Sequence, residues 1–197
     1  MRICVLSFIS ILMVSCAAQQ SLPVAEPEDD GPKLPDRSTI LTSSGNVIVG
    51  AEAPWFAAES SNDGRVINSR TFVSDPDRTT ALVFFSTTCA PCRIGLRMIA
   101  DSTQRLDEAG VTIILVSVAE EQSVVAPFIA DMDLQNFTAV LDRYSVNGER
   151  FGIVVTKDDA QSMTLPRTFL IDGSGSVTGI VGEEGADYVD ILCGGAQ

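Results

Sequence analysis

The chain has 197 residues, a length typical of one domain, and its 26 Asp and Glu against 13 Lys and Arg give a formal net charge of −13 at pH 7. This acidity argues against binding to nucleic acid, because that attraction needs basic side chains against phosphates. The sequence contains no histidine. Ser-His-Asp and Cys-His catalysis, and any zinc, copper or haem site that needs a histidine of this chain, are therefore excluded.

The first 15 residues have the pattern of a targeting segment, with a positive start at Met1-Arg2 and an apolar run over 3–14. That run is too short to span a bilayer as a mature helix. Residues 13–16, "MVSC", resemble a bacterial lipoprotein signal, which implies a signal peptide over 1–15 and a lipid on Cys16. The alternative is an ordinary secretory signal in which Cys16 has no role. The lipoprotein interpretation places the chain at the cell envelope, anchored at its periplasmic or extracytoplasmic face.

Residues 16–45 mix Pro, Ser and acidic residues without a hydrophobic period. This composition predicts a disordered tether, which would extend about 30 Å and hold a domain clear of a membrane. The folded domain is expected over 46–197. A short N-terminal strand at Ile40-Leu41 is the alternative for that part of the tether.

From residue 46 onward, alternating hydrophobic patterns predict a series of strands and helices. In chain order they are a hairpin turning at 62–64, a strand over 79–86, a helix over 90–109 stopped by Gly110, a strand over 111–118, a helix over 120–132 in which Pro127 is awkward, a strand over 137–142, a short helix within 143–152, a hairpin over 167–181 and a closing helix over 185–193. Alternating βαβ elements followed by a hairpin indicate an α/β fold with a mixed sheet between helices.

The sequence "FFSTTCAPCR" places Cys89 at the junction between a buried strand and a helix. The free N–H groups and the macrodipole of a helix N-terminus stabilise a thiolate, and Cys92 lies one turn further on, where it can attack a mixed disulfide. Pro91 is tolerated in the first turn because its missing N–H costs nothing there. Ala90 completes the motif and Arg93 adds a positive charge. The pair is therefore predicted to be redox-active.

Metal binding and a purely structural disulfide are the alternatives for this pair. Zinc usually needs four Cys or His ligands, and only Cys193 remains in the domain. A disulfide across two residues closes too small a loop to contribute much entropy. We expect no metal and no cofactor, and we interpret Cys193 as a small buried hydrophobic residue.

Three segments in order, "ALVFFSTTCAPCR", "VTIILVSV" and "LPRTFLIDGSGSVTGIVG", resemble the thioredoxin fold. Together with "GAEAPWF" at 50–56, they are most similar to the TlpA/ResA-like thiol–disulfide oxidoreductases of bacterial envelopes. The resemblance covers about residues 47–193 and implies a thioredoxin-like three-layer α/β/α sandwich with a mixed central sheet. It also implies that Cys89 is the attacking thiol and Cys92 the resolving thiol.

The same resemblance implies a cis peptide bond between Leu165 and Pro166, facing the cysteines. In the cis form the backbone before the proline can pair with a substrate chain, whereas an ordinary trans proline would simply open a strand. Thr88 and Arg167 flank these features. We expect substrate to be bound by Thr88, Leu165, Pro166 and Arg167. For Arg167 the alternative is a side chain that is solvated or paired with a local acid.

The sequence departs from the family at three positions where relatives carry functional side chains. Thr88 replaces the Trp that usually precedes the first cysteine, Val83 stands where thioredoxin has a buried acid, and Gly95 stands where many TlpA-like members have Glu. None of these positions supplies a carboxylate to take the proton of Cys92. Solvent, or an acid elsewhere such as Glu120 or Glu121, is left for that role.

The resemblance implies a membrane-anchored thiol–disulfide oxidoreductase of the cytochrome c maturation type. Ala90-Pro91 lacks the His that strong oxidants of this fold carry between the cysteines, which favours a reductase of protein disulfides. The expected partners are a protein disulfide such as that of apocytochrome c, a membrane thiol electron donor and the membrane itself through the lipid anchor, with no nucleic acid.

Two other functions are considered for the same fold. A peroxidase of the peroxiredoxin class normally has Pro and Thr where this chain has Leu82 and Ser86. The other is a thioredoxin-like module that carries Cu(I) on Cys89 and Cys92, since Cu(I) prefers thiolate ligands. The lack of His and of a Met-rich stretch argues against it.

Overall fold

The computed structural model describes residues 35–72, 75–158 and 160–194. The predicted signal peptide, Cys16 and most of the predicted tether lie outside these residues. The strands are β1 (Thr39–Leu41), β2 (Ser43–Ser44), β3 (Val47–Ile48), β4 (Ala57–Ser60), β5 (Val66–Asn68), β6 (Thr79–Phe85), β7 (Val111–Val118), β8 (Thr138–Asp142), β9 (Val154–Lys157), β10 (Ala160–Met163), β11 (Arg167–Ile171) and β12 (Val177–Glu183). The helices are α1 (Ser69–Phe72), α2 (Ala90–Asp101), α3 (Thr103–Glu108), α4 (Gln122–Asp131), α5 (Val146–Arg150) and α6 (Tyr188–Leu192).

The main sheet is mixed and has eight strands in the order β1-β12-β11-β6-β7-β8-β4-β5. β6, β7 and β8 are parallel, whereas the strands on either side of them are antiparallel to their neighbours. β6 and β7 are buried on both faces, which explains why their sequences are almost continuously apolar. The fold class is therefore confirmed as thioredoxin-like α/β with a mixed central sheet.

Each face of the sheet has its own hydrophobic core. Residues of β6 alternate between the two cores: Val83 and Phe85 face one, and Leu82 and Phe84 face the other. The first core packs against α2, α3, α4 and α6, whereas the second is covered by the segment that follows α5 and by the region around β3. The α2 side carries the cysteine pair.

Two predicted boundaries were wrong. The helix predicted over 90–109 is two helices, α2 and α3, which separate at Ser102. The Thr103 hydroxyl donates to Ala100 O at 2.8 Å, and such local hydrogen bonds compete with a continuous helix. The folded part also begins before residue 46, because β1 pairs with the edge strand β12. The alternative of a short strand at Ile40-Leu41 is the one that the structure shows.

Other elements follow the predictions closely. Both hairpins form, β4–β5 and β11–β12, and α4 continues through Pro127. β9 and β10 form a small separate hairpin ahead of Pro166. No helix within the described segments is both long enough and apolar enough to span a bilayer.

Candidate active site

Cys89 is the N-cap residue of α2, directly after the loop that leaves β6. Its backbone is extended, with φ −79° and ψ 105°, and its Sγ accepts a hydrogen bond from the backbone N–H of Cys92 at 3.2 Å. A side chain at the N-cap normally satisfies one of the free N–H groups of the first turn, and here a sulfur takes that place. Negative charge on this sulfur would therefore be stabilised by the helix N-terminus.

Cys92 forms a disulfide bond with Cys89, with an S–S distance of 2.02 Å and a Cα–Cα distance of 5.3 Å. The two sulfurs differ in accessibility: Cys89 is half-buried, whereas the Cys92 residue is only 1% exposed and belongs to the core beneath α2. An incoming molecule can therefore approach Cys89 more easily than Cys92. This asymmetry suits an attacking and a resolving thiol.

Three other residues of the motif occupy the first turn of α2. Ala90 and Pro91 are exposed, and Pro91 lies within the first two positions of the helix, where its missing N–H is harmless. The Arg93 guanidinium lies over the ring of Phe128, 5.1 Å from its centroid. Part of the positive charge near the pair is thus held by a cation–π contact on α4.

The loop before Cys89 is organised by Glu120. One carboxylate oxygen accepts hydrogen bonds from the backbone N–H of Thr87 at 2.9 Å, from its hydroxyl at 2.6 Å and from the hydroxyl of Ser86 at 3.1 Å. The other oxygen accepts from Ser117 at 2.6 Å. Glu120 thereby fixes the path of the chain from β6 into α2.

The predicted substrate-binding residues lie at the same end of the sheet as Cys89. The Leu165–Pro166 peptide bond is cis, and β11 begins at the next residue, opposite Phe84 of β6. Leu165 is half-buried against both cores, and Thr88 is exposed, with its hydroxyl 3.0 Å from that of Ser86. Their proposed contact with substrate stays a prediction.

Arg167 does not lie on the surface as a residue that contacts a partner would. It is only 9% exposed, because the alternation of β11 places it on the same face as Phe169, toward the second core. Burial lowers the pKa of its guanidinium, and its Nε has no hydrogen-bond partner among the described residues. The expectation that Arg167 binds substrate directly is therefore not supported by its position.

Glu184 is the residue at this site that the sequence analysis missed. It follows β12, is 4% exposed and packs on the backbone of Gly95 in α2. Burial raises the pKa of its carboxyl to about 8, an effect that a contact with Tyr188 partly offsets. Gly95 has no side chain where related proteins carry Glu, which indicates free space beside α2. The sequence alone does not show which residue fills that space.

An open groove of about 520 Å³ runs along α2 next to the cysteine pair. It is lined by Ala90, Arg93, Ile94, Arg97, Met98, Asp101 and Met132.

Within the described segments, no group of three or more Cys, Asp or Glu side chains is arranged to hold a metal ion. Cys193 is half-buried beside α3, and its sulfur lies 4.0 Å from Arg105 O.

Fold and cysteine pair together define a thioredoxin-fold protein with a Cys-x-x-Cys motif at the start of a helix. Residues 49–180 match the model of the AhpC/TSA family. This range is more than half of the chain, and the protein therefore belongs to the AhpC/TSA family.

Solved structures of two kinds share the fold. The peroxidoxin BcpB from Mycobacterium tuberculosis superposes with a TM-score of 0.66 at 14% identity, over 76% of this chain and 96% of that one. The thioredoxin domain of a thiol–disulfide oxidoreductase from Bacteroides vulgatus gives 0.60 at 18% identity, over 75% and 96%. A 2-Cys peroxiredoxin from Plasmodium vivax gives 0.57 at 21% identity, over 73% and 78%. At these identities the likeness shows the fold. No curated protein sequence matched the chain.

Proposed function

We propose that this protein is a thiol–disulfide oxidoreductase that reduces disulfide bonds in other proteins. The observation that carries the proposal is the asymmetric pair at the start of α2, with an accessible Cys89 as N-cap and a buried Cys92 bonded to it. In the reduced form, the Cys89 thiolate attacks a disulfide of the partner protein and one partner sulfur leaves. Cys92 then attacks Cys89, releases the second partner sulfur and leaves the enzyme oxidised.

The reductase direction is supported by the residues between the cysteines. Ala90 and Pro91 have no side chain that could donate a hydrogen bond to the Cys89 thiolate. Stronger stabilisation of the thiolate makes a dithiol more oxidising, as in DsbA at about −120 mV. With the helix N-terminus as its support and no further donor between the cysteines, this pair is expected to have a potential nearer that of thioredoxin at about −270 mV. A membrane thiol donor would then restore the reduced pair.

Reduction of insulin by the protein, followed by the turbidity of the released B chain with dithiothreitol as electron source, tests this function. Cys89→Ala should abolish the catalysed reduction, and Cys92→Ala should trap a covalent complex with insulin that reducing agent releases. Cys193→Ala is the matched control and should behave like the wild type, because Cys193 lies beside α3 rather than in the pair. Equal turnover by Cys89→Ala would contradict the proposal.

The second candidate function is a peroxidase, which the AhpC/TSA family match favours. In that case the Cys89 thiolate attacks hydrogen peroxide and breaks its O–O bond, which forms a sulfenic acid and releases water. Cys92 then attacks that sulfur, and the disulfide forms with loss of a second water. Ser86 and Leu82 stand where the peroxiredoxin resemblance requires Thr and Pro, which is why we rank this function second. Peroxide consumption by the reduced protein that is orders of magnitude faster than by free cysteine, together with no insulin reduction, would reverse the ranking.

The placement at the cell envelope is part of the proposal and rests on the sequence "MVSC". Anchoring through Cys16 would hold the oxidoreductase near a membrane donor and near envelope proteins with disulfides, including apocytochrome c. The TlpA/ResA-like branch is the subgroup of thioredoxin-fold proteins with these properties. The partners that we propose are the ones that the resemblance to this branch implies.

A further inference from the structure

Glu184 is a buried acid that makes no ion pair in the described part of the chain, and its polar neighbour is the Tyr188 hydroxyl, which partly offsets the effect of burial on its pKa. Its residue is 4% exposed, and neither carboxylate oxygen makes a hydrogen bond to a described group. Burying a carboxylate without a partner is costly, so a position of this kind calls for an explanation other than stability. Solubility does not explain Glu184 either, because its neighbour Glu183 is the exposed residue of the two.

The carboxyl group lies against α2 at Gly95. A Cβ atom placed on Gly95 would overlap Oε2 and Cδ of Glu184 and would lie 2.8 Å from Oε1. Glu184 thus occupies the volume that a side chain at position 95 would take. Gly95 is the residue that makes this approach possible, since any larger residue would displace the acid.

Gly95 is three residues after Cys92 on the same buried face of α2. Side chains at this spacing have Cβ positions about 5–6 Å apart, so the carboxyl that fills the Cβ position of Gly95 is a near neighbour of the Cys92 sulfur. A proton can cross such a separation directly after a small side-chain rotation, or through one water molecule.

We infer that Glu184 accepts the proton of the Cys92 thiol when Cys92 attacks the mixed disulfide at Cys89. This inference rests on the proposed function and adds a residue to it. In the step, the Cys92 S–H bond breaks and its proton goes to the Glu184 carboxylate, and the Cys92 sulfur bonds to the Cys89 sulfur. The bond between Cys89 and the partner breaks, and the partner sulfur leaves as a thiolate with the electron pair.

The acidity of the group suits this role. Burial raises the pKa of Glu184 to about 8, close to that of an ordinary thiol near 8.5, so transfer between the two needs little driving force. The ionisable group in contact with it is Tyr188 from α6, whose hydroxyl lies 2.7 Å from that of Thr168, and Cys92 is placed near it by the three-residue spacing from Gly95 on α2. Arg37, in the neighbouring N-terminal segment, is exposed and pairs with Asp187 at 3.5 Å.

The experiment follows the two thiols of the pair separately with DTNB in a stopped-flow spectrometer. The full chain carries Cys4→Ala, Cys16→Ala and Cys193→Ala, so that Cys89 and Cys92 are its only thiols. Attack by Cys89 releases one thionitrobenzoate at a rate that rises with DTNB concentration. Attack by Cys92 on the resulting mixed disulfide releases the second at a rate that reaches a plateau.

In this cysteine-reduced variant, Glu184→Gln should slow the plateau phase at least tenfold at pH 7. A positioned base contributes about 10²–10⁴-fold, and the expected loss is smaller at pH 7 because a carboxyl with a pKa of about 8 is mostly protonated there. The first phase should change less than twofold. Wild type should show a plateau rate that rises with a midpoint near pH 8, and Glu184→Gln should move this midpoint upward by a unit or more. Glu183→Gln, which alters the exposed neighbour, should match the wild type in both phases.

A plateau phase that is unchanged or faster in Glu184→Gln would overturn the inference. Faster resolution is the result expected if Glu184 acts only as a nearby negative charge, because a neutral Gln would ease the ionisation of Cys92. The double variant Gly95→Glu/Glu184→Gly returns a carboxyl to the same volume from α2 and should restore most of the lost rate. A first phase that is no faster than the reaction of free cysteine when Glu184 is intact would instead contradict the proposed function, because that phase depends on Cys89.

Discussion

Glu120 binds both the backbone N–H and the hydroxyl of Thr87, two residues before Cys89, at 2.9 and 2.6 Å. From the sequence, Glu120 and Glu121 were candidate proton acceptors for Cys92. The structure gives Glu120 another role, as the residue that holds the loop, and Glu121 lies 3.5 Å from Arg143. The geometry of the attacking cysteine therefore depends on a carboxylate from the loop that follows β7.

Replacing Glu120 should loosen this loop. Glu120→Ala leaves the Thr87 N–H and hydroxyl without their acceptor, and we expect a loss of about 2 kcal/mol or more in the free energy of unfolding. Urea unfolding measures this loss. Glu121→Ala is the matched control and should cost about 1 kcal/mol or less, because its ion pair is on the surface. Equal effects of the two substitutions would contradict the role given to Glu120.

Substitution of Gly95 tests the contact with Glu184. Ala in the interior of a helix is normally about 1 kcal/mol more favourable than Gly, but here its Cβ would overlap the Glu184 carboxyl, so Gly95→Ala should destabilise the protein by about 1–3 kcal/mol. In a Glu184→Ala background the same substitution should be neutral or stabilising. Unfolding curves of the four proteins give both values. A stabilising Gly95→Ala in the wild type would contradict the packing described.

Glu184 should also make stability depend on pH. Its folded-state pKa of about 8 exceeds the ordinary value of 4.5, so between these values the folded oxidised protein holds a proton that the unfolded chain releases. The free energy of unfolding should therefore fall as pH rises from about 5 to 8, by about 1 kcal/mol per pH unit from this group. Denaturant unfolding of the oxidised protein at several pH values measures the slope.

Two variants separate this effect from other titrations. Glu184→Gln should remove about 1 kcal/mol per pH unit from the slope, whereas Glu183→Gln should keep it, because Glu183 is exposed. Identical slopes in Glu184→Gln and the wild type would show that Glu184 is charged in the folded protein, contrary to our account.

Lipid attachment at Cys16 is tested by growing expressing bacteria with a radioactive fatty acid. The wild type should be labelled and should fractionate with membranes, and Cys16→Ala should lose the label. Cys4→Ala is the matched control, since Cys4 lies within the predicted signal peptide and should be removed with it. An unlabelled wild type would leave an ordinary secretory signal as the interpretation.

Much of the fold could be predicted from local patterns. β6 and β7 are continuous apolar runs, Gly110 has φ +70° just after the helical region, and Cys89 caps α2 because a buried strand and an amphipathic helix meet there. Each of these features depends on neighbours in sequence. The mixed sheet followed from the order of the elements.

Features that depend on distant residues could not be predicted in the same way. Arg167 is buried because its register in β11 turns it toward the second core, and a motif does not specify that register. Glu184 meets Gly95 only because the loop after β12 passes beside α2. The break at Ser102 reflects local hydrogen bonds that the period of apolar residues does not reveal.

The central claim is that Cys89 is a nucleophile activated by the N-terminus of α2. Its most direct test is the rate of alkylation of Cys89 by iodoacetamide as a function of pH, measured on the reduced protein by mass spectrometry of the Cys89 peptide. We predict a midpoint at least one pH unit below that of free cysteine, about 8.5. A midpoint at or above that of free cysteine would contradict the account.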